Sequence, residues 1–197
     1  MKMIQNKRII LGSQSPRRQE LLNQIGIEYD IKVYGVEEIY PCNLSPFNVP
    51  EYLAKLKSDQ FNTEKLENTC IITSDTVVIY DDKILGKPRN KKEALNMILD
   101  LSGKEHYVVT GVCLQLKNKR KSFSSVSNVE FETISQAEAN YYINTFDPLD
   151  KAGSYGIQEW IGQTRIKKIN GCYYNIMGLP LNQLYNNLIE EKVITFQ

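Results

Sequence analysis

The sequence predicts an α/β fold, and three observations carry that prediction. Segments of strand-like and helix-like patterning alternate along the chain. Its 197 residues suit one domain, or one domain with two lobes, since domains run to about 100–200 residues. Hydrophobic residues make up 42% and aromatics 10%, enough for a sizeable core, with no repeats, low-complexity tracts or long linkers.

Arg8–Leu11 reads as a short strand, followed by the tight loop Gly12-Ser-Gln-Ser-Pro. A helix is expected from Pro16 to about Ile25, with Ser15 as N-cap, Pro16 at the favoured first position and Gly26 as the stop. Leu21, Leu22 and Ile25 form its apolar stripe. Tyr29–Val36 alternates like a strand, and residues 37–48 read as loop. The next helix runs from Pro50 to about Leu66 and buries Leu53, Leu56 and Phe61. Cys70–Tyr80 is a strongly apolar strand, turned by Asp81-Asp82 into Ile84-Leu85-Gly86.

Asn90, with Glu93 three residues on, caps a helix over Lys91–Leu101 that Gly103 ends. Strands over 106–116 and 122–132 flank the basic turn Lys117–Lys121. Ser135 and Glu138 make a capping box for a helix ending near Asn144. Asn170-Gly171, between Arg165–Ile169 and Cys172–Met177, signals a hairpin. The last helix spans Pro180 to about Lys192, with Leu184, Leu188 and Ile189 facing inward or a dimer contact.

Composition removes several chemistries. Twenty-four Lys and Arg against 23 Asp and Glu leave a net charge of +1, without the basic footprint that duplex nucleic acid or an anionic membrane requires. No apolar run approaches the ~18–20 residues that span a bilayer. The N-terminal stretch has only Ile9-Ile10-Leu11 as apolar core, against about 7–15 residues in a secretory signal, so a cytoplasmic protein is expected. Cys42, Cys70, Cys113 and Cys172 are widely spaced, which excludes a CxxC site and suggests reduced thiols. With His106 the one histidine, multi-histidine metal sites are impossible. Chemistry must come from carboxylates, Lys, Arg and backbone amides.

Four places break a local rule. Arg17-Arg18 opens the first helix, where the helix dipole disfavours cations by about 0.3–1 kcal/mol each. With Ser13, Ser15 and free amides they would suit an oxyanion, whereas the alternative is two solvated arginines. Asp75 lies within an apolar strand, where a carboxylate needs a compensating cation or metal. It reads as a catalytic base or metal ligand, or else as an exposed edge-strand residue. Lys87-Pro-Arg89 precedes the helix opened by Lys91-Lys92, a second cationic approach or a solvated cluster. Asp147–Trp160 is rich in glycine and aromatics; Gln158 offers a donor beside an acceptor, as a base-reading loop would, though an ordinary surface loop has this composition too.

Together these segments resemble the Maf family of nucleoside triphosphate pyrophosphatases, from Ile10 to about Leu184. The motifs stand in the family's order: Leu11-Gly-Ser-Gln-Ser-Pro-Arg-Arg-Gln-Glu-Leu-Leu, Ser74-Asp-Thr-Val-Val, Leu85-Gly-Lys-Pro, Leu101-Ser-Gly-x-x-His-x-Val-x-Thr-Gly-Val, Asp150-Lys-Ala-Gly-Ser-Tyr-Gly-Ile-Gln and Asn175-x-x-Gly-Leu-Pro. The resemblance implies an elongated mixed β-sheet flanked by helices, with two lobes around a central cleft, in one domain over residues 1–197. It also implies hydrolysis of a nucleoside triphosphate to the monophosphate and pyrophosphate, dependent on Mg²⁺ or Mn²⁺, in a homodimer. Asp75 matches the family's proton acceptor near the metal. Ser13, Arg17, Arg18, Lys57 and Lys87 match phosphate-handling positions, and Glu38 a metal-associated carboxylate.

In that resemblance Arg17, Thr76 and Gln158 match the family's dTTP/UTP type, whereas the 7-methyl-GTP type has an aromatic, Gln and Glu at these positions. Gln158 suits uracil or thymine, whose edge pairs a carbonyl with an N–H. The competing expectations are the same chemistry on 7-methyl-GTP or another modified purine triphosphate, and a nucleotide-binding regulator of cell division. The chain departs from the family at Thr73, at Glu159 where Gly is usual, at Asp147-Pro148 and at Glu37-Glu38. His106 is expected to make a structural hydrogen bond to backbone.

Overall fold

The computed structural model describes residues 2–62 and 67–197. Its strands are β1 (Met3–Gln5), β2 (Arg8–Leu11), β3 (Asp30–Ile31), β4 (Thr69–Tyr80), β5 (Lys83–Leu85), β6 (Glu105–Gln115), β7 (Arg120–Phe131), β8 (Ile166–Asn170) and β9 (Ile194–Phe196). The helices are α1 (Pro16–Gln24), α2 (Val49–Ser58), α3 (Lys91–Leu101), α4 (Gln136–Phe146), α5 (Trp160–Arg165), α6 (Tyr173–Met177) and α7 (Leu181–Glu190). One mixed sheet has the order β3-β2-β4-β6-β7-β8, with β5 on β4, and helices flank it. Here β2 runs parallel to both β3 and β4, while β5 and β8 pair antiparallel with their neighbours. The alternation read from the sequence is therefore an α/β architecture in the structure.

The chain divides into two compact units. The first comprises Met1–Asp75, Thr110–Ser125 and Gly178–Gln197. Its core is laid down by strands that read as continuous apolar runs: Ile9–Leu11 and Cys70–Ile72, against Leu21 and Leu22 of α1 and Leu53 of α2. Leu184 and Leu188 of α7 are fully buried there, and Ile189 is exposed. The second unit, Thr76–Val109 and Val126–Met177, packs Ala94, Ile98 and Leu101 of α3 and Tyr142 and Ile143 of α4 around Val129 and Phe131.

Local signals placed most elements. Asn90 accepts the Glu93 N–H and starts α3, and the Ser135–Glu138 capping box is complete. Asp81 and Asp82 both take positive φ (50° and 56°), the left-handed turn suited to the tight β4–β5 hairpin. All four cysteines are free, with Cys70 and Cys113 buried. Among the described residues no helix is long and apolar enough to cross a membrane.

Elsewhere the structure corrects the sequence. The strand expected over Tyr29–Val36 shrinks to Asp30–Ile31, because β3 meets only Ile10 and Leu11 before the chain becomes irregular and exposed. Helix α2 ends at Ser58, and the expected end at Leu66 lies outside the described residues. Asn170-Gly171 does not turn a hairpin. Ser127 Oγ accepts the Cys172 N–H at 3.0 Å and an Asn175 side-chain N–H at 2.8 Å, which draws the following residues into α6. The antiparallel pair β1–β9 is a small second sheet that no local pattern announced.

Candidate active site

In the first unit a side-chain cluster forms where β2 gives way to α1. Gly12 is required there: its amide donates to Ile72 O at 2.8 Å, and a Cβ on it would lie 2.6 Å from the Thr73 side chain. The loop thus hugs β4. Ser15 occupies the N-cap position of α1 but makes no side-chain cap; its amide instead donates to Ser13 Oγ at 3.2 Å. Ser13 Oγ also accepts from Arg18 Nη1 at 3.0 Å. Arg18 is further held by donations to Ser74 O at 3.0 Å and Gly178 O at 2.9 Å. Three acceptors fix this guanidinium beside β4, one residue from Asp75. Arg17, half-buried in the first turn of α1, adds a second positive charge that acts on Arg18.

Asp75 does not face solvent on an edge strand. It is 9% exposed, in a strand flanked by β2 and β6. The compensating cation is Lys57, whose Nζ lies 2.6 Å from Asp75 Oδ1 and 2.8 Å from Glu38 Oε1. Thr73, two residues before Asp75, donates to Ala54 O at 2.6 Å and ties α2 to β4, which aims Lys57 one helical turn further on. A residue without a hydroxyl at 73 would lose that tie. Burial pushes the Asp75 carboxyl above its usual range, while Lys57 and Arg18 draw it back. Burial likewise lowers Arg18, against the pull of Asp75, yet an arginine stays charged.

Ser13, Arg17, Arg18, Glu38, Lys57 and Asp75 thus belong to the first unit, and Thr76, Lys87 and Gln158 to the second. Lys87 is exposed, two residues after the end of β5. Gln158 lies in a turn before α5, and its side-chain oxygen Oε1 is buried without a hydrogen-bond donor. Sequence reasoning noted Glu159 only as a departure from the family and missed Tyr142 and Lys151, the two residues that pair with it. A lysine in a glycine-rich loop reads as solvated; nothing local signals that Lys151 is only 7% exposed. His106 bonds to the Tyr155 hydroxyl at 2.7 Å rather than to backbone.

Among the described residues no group of three or more His, Cys, Asp or Glu converges as a metal centre. Asp75 and Glu38 nevertheless meet at one ammonium. Two hard oxygen donors on one positive charge fit a cation such as Mg²⁺, which commonly takes one or two carboxylates and completes its shell with water and substrate phosphate.

The Maf-like protein family profile matches residues 8–191. A dTTP/UTP pyrophosphatase of Porphyromonas gingivalis is 47% identical over 184 residues, covering 92% of each chain. Another dTTP/UTP pyrophosphatase, of Bacteroides thetaiotaomicron, is 45% identical over 181 residues, 91% of this chain and 94% of its own. The Staphylococcus aureus Ham1 protein superposes with a TM-score of 0.55 at 16% identity, over 94% of this chain and all of that one, which shows a shared fold. Matched from the first sheet strand to the last helix, and nearly half identical to these relatives along their length, the chain is a member of the Maf-like protein family.

Proposed function

We propose that the protein hydrolyses dTTP and UTP to the nucleoside monophosphate and pyrophosphate. The observation that carries this reading is Asp75: a buried carboxylate, 2.6 Å from a lysine ammonium and beside a fixed arginine. The relatives named dTTP/UTP pyrophosphatase support the substrate.

In this reading a water attacks the α-phosphorus, its proton passes to Asp75, and the bond to the bridging oxygen breaks as pyrophosphate leaves. Burial makes Asp75 a stronger base than an exposed aspartate, and the neighbouring Lys57 and Arg18 oppose that shift. Arg17, Arg18, Lys57 and Lys87 neutralise the phosphate oxygens, and Ser13 orients Arg18. Asp75 and Glu38 would hold the divalent cation, Mg²⁺ or Mn²⁺, which when bound neutralises phosphate charge and acidifies water. Gln158 reads the base. Its buried Oε1 lacks a donor, and uracil and thymine supply one at N3, beside carbonyls that the amide nitrogen can reach. Thr76 and Arg17 complete the specificity positions.

The test is pyrophosphate release from UTP, dTTP, CTP, GTP and 7-methyl-GTP, with Mg²⁺ or Mn²⁺. UTP and dTTP are expected to lead, and Asp75→Asn to lower their turnover by about 10²–10⁴-fold, the range for a general base. Preference for a guanine nucleotide would overturn the role of Gln158. Nucleotide binding without release would overturn hydrolysis and leave the regulator.

A further inference from the structure

The second unit holds a buried ionic network that the chemistry above does not use. Lys151 is 7% exposed, and an ammonium so placed must be paired. Its Nζ meets Asp150 at 2.7 Å and Glu159 Oε1 at 3.1 Å. The other oxygen of Glu159 accepts a hydrogen bond from the hydroxyl of Tyr142, a fully buried side chain of α4. That hydroxyl in turn accepts the Gly156 N–H at 3.0 Å. Glu159 also covers Gly156 so closely that a Cβ there would sit 2.7 Å from its carboxyl carbon.

These contacts fall on both sides of Gln158 along the chain. The Glu159 N–H donates to Gly156 O at 3.1 Å and closes the turn around it. Gln163 donates through Nε2 to Gln158 O at 2.8 Å and through its amide to Glu159 O at 3.0 Å. Backbone on both sides of Gln158 is therefore held by named partners. Its side-chain Oε1 is buried and has none. A tethered turn carrying a buried acceptor without a donor points to a ligand that brings the missing N–H.

We propose that Glu159, braced by Tyr142 and Lys151, is a positioning residue that fixes Gln158 for reading the pyrimidine and so sets discrimination between uracil or thymine and cytosine. This rests on the base-reading role of Gln158 given above. A side-chain amide that turns by half a rotation exchanges its donor for its acceptor, so a loose glutamine serves cytosine as well as uracil. Held in place, with its oxygen the buried atom, it accepts an N–H at N3 and leaves the bare N3 of cytosine unsatisfied. Selectivity then comes from the mismatched partner being left unpaired.

The experiment measures kcat and KM for UTP and CTP in Glu159→Ala, Glu159→Gln, Tyr142→Phe and Gln158→Ala, with thermal midpoints alongside. Losing a hydrogen bond to a charged group corresponds to about tenfold. Glu159→Ala is therefore expected to raise KM for UTP about tenfold, keep kcat within about threefold, and cut the UTP-to-CTP preference about tenfold. Glu159→Gln, which still accepts from Tyr142, should recover part of that loss. Adding Glu159→Ala to Gln158→Ala should change KM no further, because the effect passes through Gln158. Tyr142→Phe removes the same brace and replaces Glu159→Ala if that variant does not fold.

Unchanged KM and preference in Glu159→Ala, an equal loss for both nucleotides, or an additive effect in the double variant would overturn the inference. If Gln158→Ala itself leaves the UTP KM unchanged, the base-reading role falls and this inference with it. If Gln158→Ala raises KM and Glu159→Ala does not, the inference fails alone.

Discussion

Replacing His106 with glutamine removes a group that makes the folded protein acid-sensitive. The ring is 1% exposed, packed edge-on against Phe131 and Tyr155 at 5.0 and 5.4 Å between centroids. Nε2 bonds to the Tyr155 hydroxyl, and Nδ1 is buried without a partner. Protonation would add an unpaired buried charge, so burial lowers the folded pKa to about 3, against about 6.5 unfolded. Since the folded value is the lower one, the stabilisation is complete above about pH 6.5 and drains away as pH falls towards 3. Only the unfolded chain gains the proton in that window. The cost is about 1.4 kcal/mol between pH 7.5 and 5.5, and about 2.7 kcal/mol by pH 4.5. Urea denaturation followed by the fluorescence of Trp160, the one tryptophan, reports on this unit's core. Glutamine can still bond to Tyr155 and does not titrate. The stability advantage of the native protein over His106→Gln should therefore narrow by those amounts, while carboxylate titrations cancel between the two. Parallel pH dependences, or a ring titrating near 6.5 in the folded protein by NMR, would refute the reasoning.

Lys57→Met tests the electrostatics of the site. Lys57 is what draws the Asp75 carboxyl down, so its loss raises that pKa, and the acid limb of kcat/KM for UTP should move to higher pH. A limb that stays in place would dissociate Lys57 from the base. Gly111→Ala should destabilise the fold by about 1–3 kcal/mol or more, because the new Cβ would lie 2.2 Å from the Glu51 backbone nitrogen, which cannot yield. A thermal melt with an unchanged midpoint would contradict that packing.

What the sequence revealed, and what it hid, follows from how far each determinant reaches. Asn90 with Glu93 and Ser135 with Glu138 act within one turn of helix, and both helices begin where those residues place them. Asn170-Gly171 failed as a hairpin signal because Ser127, more than 40 residues away, takes the Cys172 amide and holds Asn175. The β1–β9 pair joins the two ends of the chain through three residues each, too short for periodicity to reveal. At the site, Asp75 stood out because a carboxylate in an apolar run demands a cation. Nothing local said that Lys57 supplies it, since that contact needs Thr73 to fasten α2 onto β4. Lys57 and Glu38 came from the family resemblance alone. The Tyr142–Glu159–Lys151 brace escaped because burial of Lys151 is a property of the packed unit and leaves no mark on neighbouring residues.

The most direct test of the central claim is product identity. UTP is incubated with the protein and Mg²⁺ in ¹⁸O-labelled water, and the products are resolved by mass. Attack at the α-phosphorus predicts UMP carrying the label and unlabelled pyrophosphate in equal amounts, both vanishing in Asp75→Asn. UDP with labelled inorganic phosphate, or product formation undiminished by Asp75→Asn, would contradict the account.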